Sequence, residues 1–197
     1  MSATLILASA SPRRRELLAA SGVGFEIVPS TVAETRHPGE LPEAFAQRLA
    51  REKAGDVAQQ RPGRCVLAAD TVVIAGAHLF GKPTDRDDAR RMLRVLSGRT
   101  HRVLTAVALV QADGHIAETA VESEVEFRQL TAGEIEAYLD SGEPFDKAGA
   151  YAIQGLAQKF VIGVRGSYSN IIGLPMDEVL ELLRRHCPPE TATGMAP

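Results

Sequence analysis

The stretch Leu5–Leu18, which reads Leu-Ile-Leu-Ala-Ser-Ala-Ser-Pro-Arg-Arg-Arg-Glu-Leu-Leu, limits what the chain can fold into more than any other. Leu5 to Ala8 form a short apolar run, the pattern of a buried strand. Ser11 then offers an N-cap hydroxyl, and Pro12 suits the first helical position, where its missing N–H costs nothing. Arg13, Arg14 and Arg15 therefore fall in a first helical turn, where the helix dipole is already positive. Arg14 even takes the third helical position, at which Glu or Gln is preferred. An anion held by free N–H groups, serine hydroxyls and guanidinium forks would compensate. The alternative is a solvated basic surface turn; the strand–turn–helix context favours the anion.

Composition narrows the class. With 197 residues, 45% of them apolar, the chain fits one domain (residues 1–187) with room for two lobes, and it can build a proper core. The net charge is −3, and no basic stretch is interleaved with aromatics, so a nucleic-acid partner is not expected. The apolar run at the N-terminus precedes its basic cluster and is far too short to span a bilayer, which argues against a signal peptide and a membrane partner. Cys65 and Cys187 are far apart and form no metal or redox spacing, so a reducing cytosol is the expected setting. The five histidines are scattered without a zinc-binding pair. Any metal would be a hard cation on carboxylates and phosphate.

Ser21 to Gly24 close the first helix, and Phe25 to Val28 read as a second strand. Ser30 to Glu40 is polar and irregular, and nothing local distinguishes Glu34 within it. Pro42 opens a helix in which Phe45, Leu49, Lys53 and Val57 share one face. A lysine on an apolar stripe either snorkels out or meets an anion. Val66 to Ala75 is a near-continuous apolar strand interrupted by Asp70 and Thr71. A carboxylate there needs a metal, a cation or a bend that exposes it; bonding to its own backbone at a bulge is the plainer alternative. Gly76 to Pro83 matches most of a Walker A loop, but Pro83 replaces the Ser/Thr that should reach magnesium, so a P-loop is rejected. Lys82 remains a candidate phosphate contact or a plain surface lysine.

Thr84 with Asp87 suggests a capping box for a helix reaching Ser97. His101–Val110 and Ile116–Arg128 read as long strands joined by the hairpin signal Asp113-Gly114. Thr131 and Glu134 form another capping box. Pro144–Gly155 is rich in small residues suited to close backbone approach to a ligand, with a plain loop as the equal alternative. Phe160–Val164 is a strand, Met176–His186 an amphipathic helix, and residues 188–197 a loose tail. This order of elements specifies α/β with a mixed sheet. Arginines at a helix start, two unusual lysines and an acid in a core strand describe a site for a polyphosphate and a hard cation.

Taken together, Leu7–Arg14 with Glu16-Leu17-Leu18, Ala69–Val73, Gly81-Lys82-Pro83, Lys147–Tyr151 with Ile153-Gln154-Gly155, and Gly166–Tyr168 to Pro175 resemble the motifs of the Maf family, in family order and over most of the chain. The resemblance implies an elongated mixed β-sheet flanked by helices, similar to the inosine triphosphatases of the Ham1 type. It implies a cytoplasmic hydrolase that cuts a nucleoside triphosphate between the α- and β-phosphates, with Mg²⁺ or Mn²⁺ as cofactor. Asp70 then takes the part of proton acceptor and metal neighbour, and Glu34 that of the second metal carboxylate. Ser9, Arg13, Arg14, Lys53 and Lys82 fall on the phosphate-binding positions, and Arg13, Thr71 and Gln154 on those tied to substrate choice. Tyr151–Gly155 and Gly166–Asn170 resemble the branch acting on dTTP and UTP, with the 7-methyl-GTP branch as alternative. Homodimerisation is the family's expectation. A nucleotide-sensing regulator of cell division that does not turn over, or a nucleotidyltransferase, would bind a triphosphate with similar residues.

Overall fold

The computed structural model describes residues 5–187; the segment 188–197, read above as a loose tail, lies outside them. The strands are β1 (Leu5–Leu7), β2 (Phe25–Ile27), β3 (Val66–Ala75), β4 (His78–Phe80), β5 (Thr100–Val110), β6 (Ile116–Phe127) and β7 (Val161–Arg165). They form one mixed sheet in the order β2-β1-β3-β5-β6-β7, with β4 on the edge of β3. β1 runs parallel to β2 and β3, whereas β3 to β7 pair antiparallel. Mixed pairing agrees with the α/β reading.

The helices are α1 (Pro12–Ala20), α2 (Pro42–Gln60), α3 (Arg86–Leu96), α4 (Ala132–Asp140), α5 (Tyr168–Ile172) and α6 (Met176–His186). Alternation along β3 assigns their places. Val66, Ala68, Val72 and Ile74 pack against Phe45, Leu49 and Val57 of α2 on one face. On the other face, Leu67 and Ala69 join Leu18 of α1 and Val179 and Leu183 of α6. Val73 joins a separate cluster with Leu93 of α3, Leu139 of α4 and the Tyr151 and Ile171 side chains. The two clusters sit at opposite ends of that face.

One topological detail creates the site. β1 stops pairing with β3 at Leu7 and Leu67, where the Ala8 N–H donates to Leu67 O at 2.8 Å. β4 takes up the same edge only from Val73. Between them, Asp70 and Thr71 lie on an edge with no partner strand among the described residues, just beyond the carboxyl end of β1. Open α/β sheets place their ligands at such carboxyl ends.

Two local readings need correction, and one segment that the sequence left unassigned is helical. The cap of α3 is Asp85, whose carboxylate accepts from the Asp88 N–H at 2.8 Å, so helix and cap begin one residue later than Thr84 suggests. The Gly166–Asn170 segment turns into the short helix α5, capped by Ser167, and a helix that short leaves almost no periodic signal. Finally, Cys65, just before β3, and Cys187, just after α6, are joined by a disulfide across 122 residues of sequence. Distance along the chain concealed a pair that the packing of α6 brings together. The Thr131–Glu134 capping box is present in full.

Candidate active site

The free stretch of the β3 edge opens into a cavity of about 650 Å³. Its wall changes character at the strand, because Asp70 and Thr71 are neighbours that project to opposite faces.

On the face of Asp70 the chemistry is ionic. The mid-helix ammonium of Lys53 donates to Asp70 Oδ1 and to Glu34 Oε1, both at 2.6 Å. The Lys53 and Asp70 side chains are only 10% and 8% exposed, so each needs the other to leave water. The lysine does not snorkel; it meets two anions. Glu34 arrives from the irregular segment after β2 and also lies 3.6 Å from Lys82 Nζ. Burial pushes the Asp70 carboxyl above its usual range, with Lys53 and Arg14 opposing it only in part. Burial acts on Glu34 in the same sense, but Lys53, Lys82 and Arg14 together outweigh it and hold its carboxyl below the usual range.

On the face of Thr71 the contacts are mostly hydrogen bonds to neutral oxygens, with one ion pair at the rim. Arg14 Nε donates to Gly173 O at 2.8 Å, and Arg14 Nη2 donates to Thr71 Oγ1 at 3.0 Å. Burial pulls the Arg14 guanidinium below its ordinary range, against the attraction of Asp70 and Glu34. Arg13 pairs at 3.6 Å with Asp146. These partners supply part of the compensation that arginines at a helix start require. Gly173 adopts φ +122°, and a Cβ there would stand 3.4 Å from Thr71 Oγ1 and 3.6 Å from Arg14 Nε. The apolar wall on this face is built from Val73, Tyr151, Ile153 and Ile171. Tyr151 is held from behind by His101, whose Nε2 lies 2.8 Å from the phenol oxygen.

Eight of the nine residues singled out from sequence line this one cavity: Ser9, Arg13, Arg14, Glu34, Lys53, Asp70, Thr71 and Lys82. Ser9 is buried, and its Oγ accepts from the Ser11 N–H at 3.1 Å. Gln154 is the exception. It is exposed and lies outside the cavity lining, because the Ile153–Gly155 turn directs Ile153 inward and Gln154 to solvent. Sequence reasoning missed Asp146, Tyr151 and Gly173 as lining residues in their own right. The density of small residues in both segments was the available signal.

Residues 4–186 match the family described as Maf-like protein. The chain belongs to the Maf family. It is 55% identical over 181 residues to a dTTP/UTP pyrophosphatase of Myxococcus xanthus, covering 92% of this chain and 91% of that one. A dTTP/UTP pyrophosphatase of Anaeromyxobacter dehalogenans is 53% identical over 188 residues, covering 94% and 95%. In three dimensions the fold is similar to that of the Staphylococcus aureus Ham1 protein, with a TM-score of 0.51 at 12% identity, covering 92% and 98% of the two chains. That likeness concerns the fold alone.

A hard divalent cation suits the donors present. Glu34 and Asp70 converge on Lys53, which takes one oxygen of each at 2.6 Å; the ion would use the other oxygen of each, and oxygen is the donor such ions prefer. Among the described residues, no group of three or more His, Cys, Asp or Glu could hold a metal. Further ligands would have to come from a phosphate or water.

Proposed function

We propose that this Maf-family protein hydrolyses dTTP and UTP to the nucleoside monophosphate and pyrophosphate. The observation that carries this reading is the convergence of Arg14, Lys53 and Lys82 with Asp70 and Glu34 on one cavity. The names of relatives that are more than half identical over nearly the whole chain support the same substrates. Glu34 and Asp70 would hold a divalent cation, Mg²⁺ or Mn²⁺, which when bound neutralises phosphate charge and lowers the pKa of a bound water.

The chain's own residues divide the remaining work. Asp70, with its carboxyl raised by burial, is the better placed base to orient or deprotonate the water that attacks the α-phosphorus in line. Lys53 holds that carboxylate in position by a 2.6 Å hydrogen bond. Arg13, Arg14 and Lys82 bind the phosphates and the charge that builds on departing pyrophosphate, the effect that usually dominates such reactions. Ser9 completes the turn that receives them.

Cytoplasmic residence and homodimerisation belong to this proposal too. The Cys65–Cys187 bridge is unusual for a reducing compartment, and thiol counting on protein taken directly from cells tests that part. For the reaction, pyrophosphate and monophosphate release from dTTP with Mg²⁺ and no acceptor separates hydrolysis from nucleotidyl transfer and from binding without turnover. Asp70→Asn is expected to keep the fold and lower turnover by about 10²–10⁴-fold. Release at the wild-type rate from that variant removes Asp70 from the mechanism.

A further inference from the structure

Behind the cleft, a line of hydroxyls runs into the sheet. Arg14 Nη2 donates to Thr71 Oγ1 at 3.0 Å, Thr71 Oγ1 lies 2.9 Å from Thr105 Oγ1, and Thr105 Oγ1 donates to Asn170 O at 3.0 Å. Thr105 is fully buried on β5 and is absent from the cavity wall. The two ends of this line decide its direction. A guanidinium can only donate and a carbonyl can only accept. Thr105 has one proton, and it is committed to Asn170 O. The proton shared between the threonines must therefore come from Thr71. Thr71 spends its O–H on Thr105 and one lone pair on Arg14, and it shows the cleft a single remaining lone pair.

The far end is held firmly. The Asn170 side chain, fully buried, donates to Val103 O at 3.0 Å and to Ser123 Oγ at 2.9 Å. These bonds fix α5 to β5 and β6, and with it the acceptor that sets the direction.

We propose that Thr105 is a positioning residue that fixes Thr71 as a hydrogen-bond acceptor and thereby selects ligands presenting an N–H at that point. Resting on the pyrimidine reading above, the matching group is the imide N3–H of uracil or thymine. Cytosine presents a lone pair at the same ring position, so it would face lone pair against lone pair. Thr71 shares its face of β3 with the apolar wall of Val73, Tyr151, Ile153 and Ile171, which suits a base, whereas Asp70 projects to the opposite face, where it meets Lys53 and Glu34. A site built to bond one donor rejects ligands lacking it far more strongly than an apolar wall can.

Thr105→Val keeps the shape and deletes the hydroxyl. Asn170 O stays satisfied, because the Gly173 N–H donates to it at 2.9 Å. The Thr71 proton is then free to turn toward the cleft. The test is kcat and KM for UTP and for CTP in the wild type, Thr105→Val and Thr105→Ser, each confirmed folded by its melting curve. In Thr105→Val the preference for UTP over CTP, as the ratio of kcat/KM, is expected to fall about tenfold, the size of one neutral hydrogen bond, and mainly through KM. Thr105→Ser, which retains the hydroxyl, is expected to keep the wild-type preference. An unchanged ratio in Thr105→Val, or an equal loss in Thr105→Ser, overturns the proposal. Absence of turnover in the wild type would instead count against the pyrophosphatase reading. The same ratio is then read as affinity for the α,β-methylene analogues of UTP and CTP by calorimetry, where equality of wild type and Thr105→Val again overturns it.

Discussion

Asp70 and Thr71 are consecutive residues on one strand, yet the regions they face obey different physics. On the Asp70 side a buried ammonium is clamped between two carboxylates at 2.6 Å, an arrangement in which removal of Lys53 or Asp70 strands the other's charge away from water. On the Thr71 side, hydroxyls and carbonyls relay direction around the buried Arg14 guanidinium, and each hydroxyl contact carries little energy. The lesson is a separation of tasks across a single strand: the side with the two carboxylates and their ammonium is suited to activating water, and the side with the hydroxyl relay to reading which ligand has arrived, while Arg14 adjoins both.

The contrast can be broken first at Lys53. Lys53→Met leaves Asp70 buried without its counter-charge and is expected to cost about 3–5 kcal/mol in a urea melt; a cost below 1 kcal/mol, the range of an exposed pair, would mean that the clamp is solvated. The next largest effect concerns pH. His101, behind the neutral wall, is held by burial at a pKa of about 4, below its ordinary 6.5. The unfolded chain therefore binds the proton more readily, and stability falls as pH drops from about 6.5 to about 4, by up to about 3 kcal/mol. His101→Gln is expected to flatten that part of the stability profile, and an unchanged slope would place the titration elsewhere. Gly173→Ala forces a side chain onto φ +122° beside Thr71 and Arg14, at an expected cost of about 2 kcal/mol together with a raised KM. Smallest is Thr71→Val, expected to cost about 1 kcal/mol of stability; a cost equal to that of Lys53→Met would erase the distinction between the two sides.

The ionic side was legible in the sequence because it breaks local rules. Lys53 interrupts an apolar stripe and Asp70 an apolar strand, and each anomaly asks for a partner. Glu34 breaks no rule inside a polar loop, so only the family resemblance pointed to it. The same resemblance pointed to Gln154, which a turn leaves facing solvent. On the other side Arg14 and Thr71 also stood out as local anomalies, but the relay behind them did not. A threonine at position 105 is ordinary in a strand, and its partner Asn170 is 65 residues away. The free edge at Asp70 and Thr71 was equally hidden, since it depends on where β1 stops pairing and β4 begins, a matter of register that apolar runs do not encode. Element order and the mixed sheet could be read because the apolar periods of α2, β3, β5 and β6 are long; α5 is too short for that.

The separation of tasks is tested most directly by measuring kcat and the UTP-to-CTP ratio of kcat/KM side by side for Asp70→Asn and Thr71→Val. The expected result is a crossed pattern: Asp70→Asn loses turnover and keeps the ratio, whereas Thr71→Val keeps most of its turnover and loses the ratio. If both variants shift the same quantity, the two sides of β3 do one job together and the separation is contradicted.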